Sequence, residues 1–126
     1  MLEKELAQAT KMAERANQNV EQLRRRLLSE SEKSHARLKR ELTAARKQHA
    51  TANGRLKKAR AALRKKMTPD NQAKVDVLLK RVQELSESIA KIARAAYEAG
   101  EKLVTVKADA LLEERKAKAA DRAASM

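Results

Sequence analysis

The chain has 126 residues, no Cys, Trp or Phe and a single Tyr, so it lacks the large aromatic side chains that fill an ordinary globular core of this size. Two Gly and one Pro leave little material for turns, while 37% of the residues are charged and the formal net charge is +13. Ala, Leu, Lys, Arg, Glu and Gln, the strong helix formers, dominate. Composition therefore excludes a disulfide scaffold, a thiolate metal site and a Cys nucleophile, and it points to long helices. No apolar run approaches the roughly 20 residues that span a bilayer. The start, Met1-Leu2-Glu3-Lys4-Glu5, has no apolar core of a secretory signal. A cytoplasmic location is the expectation.

The first predicted element is a helix over about 2–66. Its early part carries an apolar run stepping by 4 and 3: Leu2, Leu6, Ala9, Ala13, Ala16, Val20, Leu23 and Leu27. A later run steps in the same way through Leu38, Leu42, Ala45, His49, Ala52, Leu56, Ala59 and Leu63. The two runs are offset by one heptad plus four residues, which predicts a stutter with Ser31 and Ser34 filling the seam. Asn53-Gly54 is the weakest point of this helix. Gly54 falls between the seam positions Ala52 and Leu56, so a tolerated soft spot is expected there, at a cost of about 1 kcal/mol relative to Ala, and not a turn.

The excess charge is concentrated in one block. Residues 1–23 carry net −1, residues 24–66 net +13 and residues 67–126 net +1. The block contains Arg24, Arg25, Arg26, Lys33, Arg37, Lys39, Arg40, Arg46, Lys47, Arg55, Lys57, Lys58, Arg60, Arg64, Lys65 and Lys66. A solvated helix face usually mixes signs, as residues 67–126 do. A one-signed block implies a polyanionic partner.

One strong break follows, Met67-Thr68-Pro69-Asp70-Asn71. Pro suits the first helical position, Thr68 is a good N-cap, and Asp70 places negative charge in the first turn. The preceding Arg64-Lys65-Lys66 places cations at a helix C-terminus. The turn is thus predicted at 67–69, with a second helix over about 69–122.

The second helix has the longer seam: Val75, Leu78, Val82, Leu85, Ile89, Ile92, Ala96, Ala99, Leu103, Val106, Ala110, Glu113, Ala117, Ala120 and Ala124, of which only Glu113 is polar. Folding it back pairs residues whose numbers sum to about 137. Ala52 then meets Leu85, Ala45 meets Ile92, Leu38 meets Ala99, Ser31 meets Val106 and Leu27 meets Ala110. Small residues repeatedly face large ones, as facing layers must. The fold class expected is all-α: one long antiparallel two-helix coiled-coil hairpin over 1–126, roughly 80–95 Å long at 1.5 Å per residue. A second stripe on this helix, Ser86, Ala90, Ala93, Tyr97, Gly100, Val104, Lys107 and Leu111, is not needed by the hairpin. It predicts a homodimer forming a four-helix bundle, with Ala90, Ala93, Tyr97, Gly100, Val104 and Leu111 at the interface.

No catalytic constellation is present, and neither a catalytic residue, a metal site nor a cofactor is expected. His35 and His49 have no ligand-type residue at helical spacing. His49 is expected to be a packed seam residue opposite Ile89, and His35 to be solvated. The carboxylates of the second helix are expected in surface pairs, Glu87 with Lys91, Glu98 with Lys102 and Glu114 with Lys118. The basic block lies on both flanks of the first seam. Such a band suits phosphate contacts, not base readout by a short recognition helix. It lacks the aromatic platforms of single-strand binders. An interfacial membrane helix needs a free apolar face, and the seam is expected to be used internally. Duplex DNA bound with little sequence preference is the expected partner. The alternative is an adaptor or scaffold docking another protein through the second helix.

The segment RLKKARAAL at 55–63, running on through the turn to QAKVDVLLKRVQEL at 72–85, resembles the helical N-terminal region of the AlgP-type histone-like alginate regulators of pseudomonads. EERKAKAA at 113–120 is similar to the junction where that family begins its Lys/Pro/Ala-rich tail. The resemblance covers about residues 28–120. It implies a nucleoid-associated or transcription-regulatory role. The repeated Lys-Pro-Ala-Ala tail, the part held to bind DNA in that family, has no counterpart here, so binding must rest on the basic band.

Overall fold

The computed structural model describes residues 1–125. It contains two helices, α1 over Leu2–Lys65 and α2 over Pro69–Ser125, and no strand among the described residues. The protein is an all-α helical hairpin. Both helices run about as predicted, α2 going three residues further than expected.

The turn forms for the reasons its residues suggest. Thr68 Oγ1 accepts a hydrogen bond from the Asn71 amide at 3.2 Å, the N-cap geometry. Asn71 Nδ2 donates to the Lys66 carbonyl at 2.8 Å, so one side chain of α2 satisfies the carbonyl just past the end of α1. The Thr68 amide also donates to the Lys66 carbonyl, at 2.9 Å. Arg64 and Lys65 lie in the last turn of α1, and Asp70 in the first turn of α2, each where the helix dipole favours its charge. Gly54 stays helical with no positive φ, and open space surrounds the position of its missing Cβ.

The chain divides into two units, each built from both helices. The first is Met1–Ser34 with the chain from Gly100 onward, and the second is His35–Ala99.

The second unit holds every buried apolar residue among those described: Ala45, Ala52, Leu56, Val75, Leu85 and Ala96. Between them, Leu38, Leu42, His49, Ala59 and Leu63 on α1 are half-buried, as are Leu78, Val82, Ile89, Ile92 and Ala99 on α2. These are the predicted seam positions of both helices. Small residues alternate with large ones across the seam, so two helices withdraw a narrow strip from water and no more. No large side chain is fully buried among the described residues.

The first unit departs from the expected seam. Leu2, Leu6, Ala9, Ala13, Ala16, Val20, Leu23 and Leu27 are all exposed, and Leu28, not Leu27, is half-buried beside the buried Ser31. The predicted stutter does not bring the early run into the seam. Instead the later heptad phase continues back from Ser31 through Leu28 to Arg24. Leu28, not Leu27, shares a groove with Ala110, and Arg24 Nη1 pairs with Glu113 Oε2 at 3.1 Å. The physical reason lies on α2. Beyond Ala110 it offers Glu113 and then Ala117, Ala120 and Ala124, all three exposed, which gives leucines little apolar surface to meet. An ion pair and one Leu–Ala contact win over a rotated helix.

Candidate nucleic-acid interface

All sixteen cations of the basic block are exposed. In the second unit they occupy every outward face of α1, because seam positions take only one stripe of a 3.6-residue helix. Arg37 pairs with Glu41 at 3.8 Å in this unit; in the first unit Arg25 pairs with Glu21 at 3.4 Å and Arg24 with Glu113. The other thirteen have no acidic partner among the described residues. Arg64 Nε is turned back to the Arg60 carbonyl at 3.5 Å. From residue 55 to 66 there are Arg55, Lys57, Lys58, Arg60, Arg64, Lys65 and Lys66 and no carboxylate.

The fold adds a cation that the block on α1 does not contain. Lys47 and Arg55 of α1 line an open groove with Arg81 of α2, floored by Ala52, Leu78 and Leu85. Arg81 belongs to the mixed-charge half of the chain, outside the basic block. Its signal was available, since antiparallel pairing places position 81 close to position 55. A second shallow groove, along α1 alone, is lined by Lys39, Arg40 and Lys47 with Thr43 and Ala44. These sites have no enclosed interior, so their chemistry is that of solvated charge: multiple weak phosphate contacts spread along a surface.

His49 is half-buried in the seam, and its Nε2 lies 3.0 Å from the Ser86 hydroxyl across the hairpin. That hydrogen bond was not foreseen, and it gives the seam imidazole a polar partner. His35 is half-buried, not solvated, because the continuing heptad phase turns it towards the seam. Among the expected surface pairs, Glu114 and Lys118 meet at 3.5 Å, whereas Glu87–Lys91 and Glu98–Lys102 are not paired among the described residues. No group of three potential metal-ligating side chains occurs among the described residues, and no described helix is long and apolar enough to cross a membrane.

The second stripe of α2 is largely open. Tyr97 and Val104 are each 68% exposed, and Ala90 and Leu111 are exposed as well. Ala93 and Gly100 are half-buried. Lys107 interrupts the stripe between Val104 and Leu111.

Comparison with protein-family models, with curated proteins and with solved structures gives no match.

Proposed function

We propose that this protein is a non-catalytic DNA-binding protein that engages duplex DNA through phosphate contacts along α1, with little sequence preference. The observation that carries the proposal is the set of thirteen exposed cations without an acidic partner among the described residues, twelve on α1 and Lys66 just past its end, densest over residues 55–66. Phosphate contacts need exposed, mobile cations and no shaped pocket, and they give affinity without reading bases. Arg81 widens the basic surface to α2. The resemblance to the histone-like alginate regulators favours a nucleoid-associated or transcription-regulatory role over other polyanion roles.

The test is the salt dependence of binding to unrelated duplexes. If about 6 phosphates are neutralised, log K falls against log salt with a slope of roughly −5. Changing Lys57, Lys58, Arg60 and Arg64 to Gln leaves the seam intact. Affinity should fall alike for all sequences, and the slope should flatten by roughly 3 to 4 units. Unchanged binding with wild-type helicity would overturn the proposal. It would favour the second function, an adaptor or scaffold docking another protein through Tyr97, Val104 and Leu111 of α2, whose exposure is the observation behind it.

A further inference from the structure

The eight-residue apolar stripe on the amino-terminal part of α1 is exposed along its whole length, with no partner among the described residues. Leu6 is 69% and Leu23 62% exposed. In this unit Arg24 pairs with Glu113 of α2 and the half-buried Leu28 shares a groove with Ala110, each one position on from Leu23 and Leu27; Glu21 and Arg25 line the same groove. One residue is about 100° around a helix, so the stripe lies beside α2 and not beneath it. Its eight positions span about three and a half heptads, long enough to specify a coiled-coil seam.

The order of side chains along the stripe is two-fold symmetric. Read in opposite directions on two copies, Leu2 meets Leu27, Leu6 meets Leu23, Ala9 meets Val20 and Ala13 meets Ala16. Every layer of an antiparallel pair is filled by this one register, with large residues at both ends and small ones at the centre. The flanking charges agree with it. Residues that flank an antiparallel seam face their counterparts across it, which sets Glu5 opposite Arg26, twice by symmetry; Glu3 falls on the side of Arg24, which already pairs with Glu113. Arg26 has no acidic partner within the chain among the described residues. A parallel pairing would set Glu5 against Glu5 and Arg26 against Arg26.

We infer that the stripe Leu2–Leu27 is a self-association surface, and that its occupant is the same stripe of a second copy of this chain in antiparallel orientation. Residues 1–23 carry net −1, so most of the stripe is not an extension of the polyanion surface, which it meets at Arg24, Arg25 and Arg26. The stripe on α2 is a poorer two-fold seam, because Lys107 interrupts it. In the first unit Gly100, Val104 and Leu111 lie on the opposite flank of the helix pair, so this dimer leaves them open. The dimer shares Arg26 with the proposed DNA surface, so it is tested in the absence of DNA.

Light scattering on the full chain should give twice the 14.1 kDa chain mass. Leu6→Glu with Leu23→Glu should return it to the monomer, while Gly100→Glu should leave it dimeric. Glu5→Arg should weaken the dimer about tenfold or more, and adding Arg26→Glu in the same chain should restore it. Single cysteines fix the direction. Ala9→Cys and Val20→Cys chains should form a disulfide only when mixed, since either residue lies about 16 Å out of register with its own copy. A monomeric wild type, a dimer lost on Gly100→Glu but kept in the leucine variant, or disulfides within each single-cysteine chain alone would overturn the inference. So would a charge reversal that is not rescued.

Discussion

The two units of this protein are built from the same two helices and differ in what they bury. In His35–Ala99, six apolar side chains are withdrawn from water, and they sit where the heptads of α1 and α2 coincide. In the unit formed by Met1–Ser34 and the chain from Gly100 onward, the one buried residue among those described is Ser31, whose hydroxyl has no hydrogen-bond partner among them. The apolar residues of that unit are more numerous on α1 than its seam can use, and they lie on a different face. Helix formation therefore does not distinguish the two regions, because both have strong helix formers throughout. Registration of apolar stripes across the helix pair does. Long helices gain most of their stability from packing of an apolar face, so a region whose stripe is misaligned with its neighbour gains less from the hairpin.

The largest expected effect breaks the packed unit directly. Leu56 is the most buried residue, 2% exposed, and it is fully within the seam. Leu56→Ala should cost about 2–4 kcal/mol, measured by urea unfolding followed by circular dichroism. Leu23→Ala, at a protein concentration where the chain is monomeric, should change stability by less than about 0.5 kcal/mol. Equal losses would mean that the two regions do not differ as their burial indicates.

A smaller effect probes the seam of the other unit. Ser31→Ala removes an unpaired buried hydroxyl and substitutes a better helix former. It should stabilise the hairpin by about 1 kcal/mol, seen as slower amide hydrogen exchange over residues 28–34. A loss of stability would show that the hydroxyl has a partner that matters. The smallest effect is at Gly54 in the packed unit. The backbone there is helical, and nothing lies within 4 Å of a built Cβ. Gly54→Ala should raise stability by about 0.5–1 kcal/mol. A destabilised variant would mark Asn53-Gly54 as a bend the molecule uses.

Much of the molecule was legible from its residues. The turn was legible because Thr68, Pro69, Asp70 and the preceding cations all act locally, through capping, a fixed φ and the helix dipole. The seam of α2 was legible from Val75 to Ala110 because one apolar period runs through it without a competitor. The basic surface on α1 was legible because charge must stay in water on whichever face the seam leaves free. Arg81 and the His49–Ser86 hydrogen bond were not, since each depends on which residue of one helix comes beside which residue of the other.

Sequence by itself determined two helices, one turn, the dominant seam and a one-signed band of charge, all consequences of period and local chemistry. Only the tertiary structure decided the phase of α1 before Ser31. Two apolar phases compete there, one through Leu27 and one through Leu28, and α1 alone prefers the first. The choice is made by what α2 sets opposite. With Ala110 and Glu113 on that side, the Leu28 contact and the Arg24–Glu113 pair hold the later phase, and the longer stripe is turned out to solvent. A period fixes which residues of a helix share a face, and only the neighbour fixes which face is buried.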